Sequence, residues 1–422
     1  MLPLPPGRRW ARRLAPVAFL AALGVAVALT LHDRSGPQHA DAARASRPAA
    51  PAPSSNPTGP RFSHTYPPDP VVPERGKALG PDPVPPPRAT ISSGTSVASF
   101  AALSAALAKG TLVRIGPHRW RLTGPAGIVD GASLRVAGPA TLQLARGAFL
   151  VARHRGLVVL RDVRVIGVGN HGRPLPTASG GRGFLAATVG GRMRLIHDQI
   201  VDLGYLGNLT YGISFRRSGP GSGIFGSTVV GNYFGVYMSA SRGVRVVDSR
   251  FAHSVVYGID PHSSASHLVI RGNAVLDSGV HGIILAQGVH DSVVEDNVVR
   301  GARLHGIVVY DHSNGNVLKG NRVSGTFDGI VLQDSSGTRL TRNVVEGAKR
   351  FALRLTGVTR ATMAWGNSLS GALVGLFVYA GPTGSLFVGN RILGNVENVR
   401  IRVDAPGNVV RPVPARSERR SS

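Results

Sequence analysis

A short step made of an aromatic or polar residue, a glycine, and an isoleucine or valine recurs along the middle of the chain. The steps are Tyr211-Gly212-Ile213, Phe234-Gly235-Val236, Tyr257-Gly258-Ile259, His281-Gly282-Ile283, His305-Gly306-Ile307 and Asp328-Gly329-Ile330, spaced 23, 23, 24, 24 and 23 residues apart. A repeat of this length, built from short β-branched runs broken by Gly, Asn and Asp, is one coil of a solenoid whose apolar face is buried by stacking. The repeat therefore predicts an all-β chain folded as a parallel β-helix.

A second series of residues recurs in phase with these steps and consists of asparagines. Its members are Asn273, Asn297, Asn321, Asn343, Asn367 and Asn390. Asparagine tolerates left-handed backbone, and its amide can hydrogen-bond the same amide one coil along. We therefore predict a structural ladder with no chemical role.

The N-terminal 35 residues have the pattern of a membrane-targeting segment. Four arginines precede an uncharged run from Leu14 to Leu31, which is just long enough to span a bilayer. The length favours an uncleaved single-pass anchor in the cell membrane, with everything downstream outside the cytoplasm. The alternative is a secreted protein cleaved near Ala40-Asp41-Ala42.

The rest of the chain divides into three parts by composition. Residues 36–89 are rich in Pro, Ala, Ser and Gly and predict an extended linker. Residues 90–411 hold the β-helix, beginning with a short amphipathic helix within Ser99 to Lys109 that we expect to cover the open end of the stack. Residues 412–422 predict a basic, disordered tail.

Composition limits the partners of this chain. There is no cysteine and 6% of residues are aromatic, so stacked Val, Ile and Leu must form the core. The formal net charge is +26 and nearly all of it is arginine, which suits recognition of carboxylates or phosphates. Biased codon usage is an alternative explanation for the high arginine content. Nucleic acid is not favoured, because the basic residues are scattered and lack interleaved aromatic platforms.

Two polar positions recur after each step. The first holds Arg216, Ser239, His262, Ala286, Tyr310 and Gln333, and the next holds Arg217, Ala240, Ser263, Gln287, Asp311 and Asp334. Successive coils stack about 4.7–4.9 Å apart, so these positions predict a vertical stripe of functional groups. Such a stripe suits a linear polymer with a repeat about one coil high. An acidic polysaccharide is the favoured partner, because the stripe starts with Arg216 and Arg217.

The densest polar signal in the stripe runs from Tyr257 to Ser263. Proline in a strand is confined to bulges or edges, so Pro261 predicts a bend that aims Asp260 and His262. The plainer alternative is that Asp260 and His262 cap a turn.

At this point the chain resembles a known family, the periplasmic mannuronan C5-epimerases. The resemblance runs from about Met193 to Asn390. It is carried by LGYLGNLTYGIS (Leu203–Ser214), NYFGVYMSAS (Asn232–Ser241), VVYGIDPHSSASHLVIRGN (Val255–Asn273), HGIILAQGVHDS (His281–Ser292) and HGIVVYDHSNGN (His305–Asn316). The Asp-Pro-His core is its most specific part.

The resemblance implies a right-handed parallel β-helix that removes the C5 proton of a mannuronate and returns a proton to the other face. His262 matches the catalytic base of the family, and Asp260 would orient it or hold the bend. Tyr310 or water would supply the second proton. Tyr237 and Asp311 complete the set of residues assigned to the substrate.

Two positions depart from the family pattern. Ser263 stands where the family motif continues with aspartate, and Gln287 stands where the family has the arginine that neutralises the substrate carboxylate. Gln287 can donate a hydrogen bond but carries no charge, so we expect Arg216 or Arg217 to supply the charge instead.

Two alternatives to an epimerase stay open. A polysaccharide lyase also begins by removing H5 but then expels the C4 substituent. A non-catalytic carbohydrate-binding solenoid would keep the fold without the chemistry. No cofactor and no metal are expected: His281 and His305 occupy step positions where stacking is the expected role, and neither they nor His312 show ligand spacing. We expect a monomer.

Overall fold

The computed structural model of the protein describes residues 82, 84–169, 171–176, 180–207, 209–402 and 405–411. These residues form a right-handed parallel β-solenoid of about 12 turns. Within them, no helix is long and apolar enough to cross a membrane. The predicted membrane segment, most of the linker and the basic tail lie outside the described residues.

Three ladders of parallel strands make up the walls of the solenoid. The first ladder has 13 strands, and each pairs with the strand one coil before and one coil after it. Its strands are Ala89–Ile91, Ala126–Ile128, Phe149–Ala152, Phe184–Thr188, Gly212–Arg216, Phe234–Ser239, Ile259–His262, His281–Ala286, His305–Tyr310, Asp328–Gln333, Phe351–Thr356, Val374–Val378 and Glu397–Ile401.

The second and third ladders form the other two walls and are joined by two long strands, Ser133–Leu144 and Leu157–Gly167, which take part in both. The remaining strands of the second ladder are Ser96–Val97, Arg192–Ile196, Gly223–Phe225, Arg245–Val247, Val269–Arg271, Val293–Glu295, Val317–Lys319, Arg339–Thr341, Met363–Trp365, Leu386–Val388 and Val409–Arg411. Those of the third are Arg119–Leu122, Gln199–Val201, Thr228–Val230, Arg250–Ala252, Ala274–Leu276, Val298–Arg300, Arg322–Ser324, Val344–Glu346, Ser368–Ser370 and Arg391–Ile392. Leu112–Gly116 pairs antiparallel with Arg119–Leu122.

The core is a stack of aliphatic side chains along the solenoid axis. In the first ladder, alternate positions such as Ile283 and Leu285, and Ile307 and Val309, belong to one continuous buried cluster. Because side chains alternate across a strand, the positions between them lie on the outer face. The step residues of the sequence thus set which side chains the first ladder presents outward.

The asparagine ladder is confirmed. The Nδ2 of each asparagine donates to the Oδ1 of the next over 2.8–3.0 Å, from Asn273 through Asn297, Asn321, Asn343 and Asn367 to Asn390. All six side chains are buried. The ladder satisfies polar groups at a buried turn and fixes the coil register on which the first ladder depends.

A helix spans Phe100–Ala106, inside the stretch where the sequence predicts one. The hydroxyl of Ser99 accepts a hydrogen bond from the backbone N–H of Ala102 and caps its N-terminus. Phe100 and Leu103 are buried in the core cluster. That this helix covers the open end of the stack stays a prediction.

The expectation that Pro261 bends the coil is wrong. Pro261 lies in a central strand, Ile259–His262, and pairs in register with Met238 on the preceding coil. Toward the following coil, Ile259 and His262 pair with Ile283 and Ala286 without a register shift, while the two residues between them make no bridge. The missing proline N–H removes pairing on one side, and no bulge or register shift accompanies it. Asp260 and His262 therefore share one face because the strand is regular.

Candidate functional site

The outer face of the first ladder carries one column of residues in strict register. Pairing runs from residue to residue along the column. The members of this polar column are Arg216, Ser239, His262, Ala286, Tyr310 and Gln333. They alternate with core positions, so His262 lies on the same face as Arg216, as the repeat predicts.

The second predicted position is a turn and not part of the strand. Arg217, Ala240, Ser263, Gln287, Asp311 and Asp334 all have left-handed backbone, with φ between 47 and 57° apart from 46° at Ser263. These residues end each strand of the first ladder and start the following loop. Ser263 and Gln287 consequently border the polar column, Asp311 is buried there, and Arg217 is exposed in its turn.

A hydrogen-bonded chain holds the imidazole of His262. Its Nδ1 lies 2.8 Å from Ser263 Oγ, and Ser263 Oγ donates to Gln287 Oε1 over 3.4 Å. The two residues that depart from the family pattern thus contact the imidazole, Ser263 directly and Gln287 through the Ser263 hydroxyl.

Aromatic rings pack against the same imidazole. The ring centroid of Tyr237 lies 5.6 Å from that of His262, and Tyr211 meets Tyr237 edge-on at 4.9 Å. Burial is the main reason that the pKa of Tyr237 is well above its usual value, and the nearby Asp260 adds to the shift. Burial likewise raises the pKa of Tyr211 to about 12. Both phenols stay protonated around neutral pH.

Asp260 pairs in register with Tyr237, on the outward position next to His262. Its side chain is 1% exposed. Asp260 and His262 come from one strand on either side of the inward Pro261. The role of Asp260 in orienting the imidazole stays a prediction.

Tyr310 lies two coils beyond His262, with Ala286 on the coil between them. Two coil rises separate the backbones of His262 and Tyr310 by about 9.5 Å. Ala286 has the smallest side chain of the column and is 2% exposed. The column therefore carries an imidazole and a phenol on either side of Ala286.

Arg216 takes part in a charged cluster that the sequence did not reveal. Thr188 pairs in register with Arg216 on the next coil. Arg153 comes directly after the strand Phe149–Ala152, which pairs with the strand that contains Thr188. Asp82 reaches these side chains, with its Oδ2 2.8 Å from Arg153 Nη2 and its Oδ1 3.9 Å from Arg216 Nη1. Thr188 Oγ1 donates to the same Oδ2 over 2.7 Å. Sequence reasoning followed the column only from residue 211 onward. It missed that the column continues into the earlier coils, where the 23- to 24-residue repeat is absent.

The histidines at step positions stack, as predicted. His281 lies parallel to Tyr257 at 5.2 Å and to His305 at 4.8 Å between ring centroids. Burial, and then the charge of His281, holds the pKa of His305 well below its usual range. Asp328, on the next coil, receives two hydrogen bonds from Arg350. Across the described part of the chain, no three His, Cys, Asp or Glu side chains cluster as metal ligands.

Comparison with known proteins gives two matching family models. The model described as "Right handed beta helix region" matches residues 199–323. The model described as "Periplasmic copper-binding protein (NosD)" matches residues 262–409. Each covers less than half of the chain, and both fall on the coils that carry the polar column.

Curated relatives share part of this sequence. The mannuronan C5-epimerase of Pseudomonas aeruginosa is 28% identical over 212 residues, which are 46% of this chain and 39% of that protein. The mannuronan C5-epimerase of Pseudomonas putida is 27% identical over 247 residues, or 55% and 47%. The matched part of this chain thus spans less than half the length of these relatives.

A solved structure shares the fold. The crystal structure of the periplasmic alginate epimerase AlgG superimposes with a TM-score of 0.70 at 20% identity, covering 77% of this chain and 84% of that one. The resemblance that the sequence suggested is therefore confirmed: this chain is similar to mannuronan C5-epimerases in sequence and to a periplasmic alginate epimerase in fold.

Proposed function

We propose that the protein is a polyuronate C5-epimerase and that the polar column is its catalytic face. The observation that carries this proposal is the imidazole of His262, fixed through Nδ1 by Ser263 and set in one column with Arg216 and Tyr310. The curated relatives named mannuronan C5-epimerases support the reaction class and suggest mannuronan or alginate as the polymer.

The chemistry begins with removal of the C5 proton of a uronate. The lone pair of His262 Nε2 takes this proton, and the electrons of the C5–H bond move into the adjacent carboxylate. A proton is then delivered to the other face of C5, and the carboxylate recovers its original bonding. No bond to the C4 oxygen breaks, so the polymer stays intact and the configuration at C5 inverts.

We assign delivery to opposite faces of C5 to the two residues that flank Ala286 in the column. A sugar ring seated between His262 and Tyr310 meets the base on one face and the phenol on the other. Tyr237 is less suited to the second step, because its ring packs directly against the imidazole at 5.6 Å and leaves no room for a sugar between them. We therefore assign proton donation to Tyr310.

The substrate carboxylate needs donors while charge accumulates on it. Gln287 accepts from Ser263 through Oε1, and we assign its amide as an uncharged donor to the carboxylate of the reacting sugar. Arg216 lies two coils from His262 and supplies positive charge to a sugar further along the polymer. Arg217 and Asp311, which border the column, complete the polymer site. Burial is the main reason that the pKa of Arg216 is lowered, and the positive charge of Arg217 lowers it further.

We also place this face outside the cytoplasm, where an exported polysaccharide would be available. The basic, apolar pattern of residues 1–35 supports a single-pass anchor, with secretion after cleavage as the alternative.

The test is isotope exchange at C5. Polymannuronate is incubated with the full-length protein in deuterated water and followed by proton NMR. The wild-type protein should replace H5 with deuterium and form guluronate. His262→Ala should lower the rate by about a hundredfold or more, as expected for loss of a general base. His253→Ala, a half-exposed histidine on another face, serves as the matched control.

Tyr310→Phe separates the two proton transfers. Without the phenol, deuterium should still enter C5 by return from the His262 face, but inversion should fall strongly. An unsaturated product absorbing in the ultraviolet would identify a lyase instead. If the wild-type protein gives neither exchange nor scission with any polyuronate, the epimerase proposal is contradicted. That result would favour a carbohydrate-binding solenoid.

A further inference from the structure

The polar column continues beyond Arg216 into a second group of anion-binding side chains. Thr188 lies directly beside Arg216 in the first ladder, and Arg153 lies one coil further. Arg153 Nε donates to Thr188 Oγ1 over 3.1 Å, so the two side chains hold one another in place. We name Arg153, Thr188 and Arg216 the carboxylate cradle.

The cradle is built for a carboxylate and holds one from its own chain. Asp82 Oδ2 receives the Arg153 guanidinium at 2.8 Å and the Thr188 hydroxyl at 2.7 Å, while Arg216 lies 3.9 Å from Oδ1. A hydrogen bond from a charged donor to a carboxylate is shorter and about twice as strong as one between neutral groups. The side chains of Arg153, Asp82 and Arg216 are 11, 13 and 5% exposed, so the cluster is largely shielded from water.

The charges of the cradle also suit a carboxylate from outside the chain. Two guanidinium groups lie within 4 Å of the Asp82 carboxylate, so the cradle offers a carboxylate two charged donors. Partly buried guanidinium groups are stable only with an anion beside them. If Asp82 leaves, an external carboxylate must replace it.

Position connects the cradle to the catalytic residues. Arg216, Thr188 and Arg153 lie two, three and four coils from His262 along the same face. At about 4.8 Å per coil, the cradle spans from about 10 to about 19 Å from the imidazole. An acidic polymer that follows the column past His262 would bring a carboxylate of a distant sugar into the cradle.

Asp82 comes from the segment that precedes the solenoid, 106 residues before Thr188. Val84, two residues on, is tied to the same site because Arg153 donates to its backbone carbonyl. A tethered carboxylate acts at high effective concentration and competes with any ligand in solution.

From this geometry we propose that Arg153, Thr188 and Arg216 form a distal subsite for a uronate carboxylate, and that Asp82 is a built-in competitor which the polymer displaces. The inference rests on the proposed use of the polar column as a polyuronate site. Binding of substrate is then coupled to release of the Asp82 carboxylate from the cradle.

The test measures binding and not turnover, so it is independent of the epimerase reaction. Titration calorimetry of the full-length protein is carried out with hexamers of mannuronate, glucuronate and galacturonate, and with a neutral hexamer of glucose. Asp82→Asn should bind the acidic hexamers about three to ten times more tightly than the wild type, because the competing charge is gone. Binding of the neutral hexamer should not change.

A double-mutant cycle assigns the effect to the cradle. Arg153→Gln should weaken binding of the acidic hexamers by about tenfold, and in its background Asp82→Asn should no longer tighten binding. Asp162→Asn removes the same charge from a half-exposed site on another face and should leave binding unchanged. Arg135→Gln, an exposed arginine of a long strand, is the matched control for Arg153.

Three results would overturn the proposal: unchanged or weaker binding by Asp82→Asn, the same gain from Asp162→Asn, or no binding of any acidic hexamer by Asp82→Asn. Tighter binding by Asp82→Asn without C5 exchange would support the cradle while refuting the proposed epimerase.

Discussion

At the scale of single residues, the imidazole of His262 depends on its immediate neighbours for its protonation state. Ser263 Oγ shares a hydrogen bond with His262 Nδ1, and Gln287 accepts from Ser263. Both partners are neutral, so neither would stabilise an imidazolium as a carboxylate at position 263 would.

The first prediction follows from that contact. Ser263→Asp places a carboxylate beside Nδ1, which favours the charged imidazole and raises its pKa by about 1–2 units. A base must be neutral to take a proton, so the acid limb of the rate profile should move to higher pH by the same amount. The measurement is the initial rate of C5 exchange between pH 5 and 9.

The control for this prediction is Ser264→Asp, which adds the same charge at the exposed next residue of the turn. Its acid limb should move by less than about half a unit, because water screens an exposed charge. Equal shifts in both variants, or none in Ser263→Asp, would show that Ser263 does not govern the imidazole.

Sequence alone identified the residues of the column and missed those of the cradle for a physical reason. His262 and Tyr310 lie in coils of 23 or 24 residues, where counting from the step gives the register. Arg153 and Thr188 precede the regular repeat, so no constant spacing relates them to Arg216. Asp82 contacts Thr188 although the two residues are 106 positions apart in the sequence, and no local pattern encodes such a contact.

At the scale of structural elements, the asparagine ladder is the feature most directly encoded by the repeat. Asn321 Oδ1 accepts from both the backbone N–H and the Nδ2 of Asn297, while its own Nδ2 donates to Val294 and Asn343. Each amide thus joins three successive coils inside the buried turn.

The second prediction concerns this element. Asn321→Ala leaves two buried donors of Asn297 without their acceptor, so the free energy of unfolding should fall by about 2–4 kcal/mol. The matched control is Asn314→Ala, an exposed asparagine that accepts from the backbone of Ser336. That change should lower the free energy of unfolding by less than about 1 kcal/mol. Urea unfolding measures both.

A decrease of equal size in the two asparagine variants would contradict the structural role of the ladder. So would an Asn321→Ala protein as stable as the wild type.

Other elements were less predictable from sequence. The bend expected at Pro261 is absent, because the strand loses pairing toward the next coil and keeps its register on both sides. The second recurring polar position proved to be a left-handed turn, which polarity alone does not distinguish from a strand. The strands of the second and third ladders are mostly three residues long, too short to show periodicity.

At the scale of the whole molecule, a parallel solenoid turns a repeat in sequence into a line of side chains in space. The first ladder repeats one outward position over successive coils, and the polar column and the cradle form a single line along it. The whole chain has a formal net charge of +26, which attracts polyanions from solution.

The third prediction concerns this charge. Affinity for a mannuronate hexamer should fall by about tenfold or more between 50 and 500 mM NaCl, because salt screens attraction between exposed charges. Titration calorimetry at several salt concentrations gives the slope, and Arg216→Ala should make that slope shallower. An affinity independent of salt would mean that the arginines do not contact the polymer.

The central claim is that an acidic glycan lies along the first ladder between the cradle and Tyr310. A crystal structure of His262→Ala with a mannuronate hexamer tests it most directly. The account predicts one sugar over Ala286, another sugar with its carboxylate in the cradle of Arg153, Thr188 and Arg216, and Asp82 displaced. A hexamer bound to another wall of the solenoid, with Asp82 still in the cradle, would contradict it.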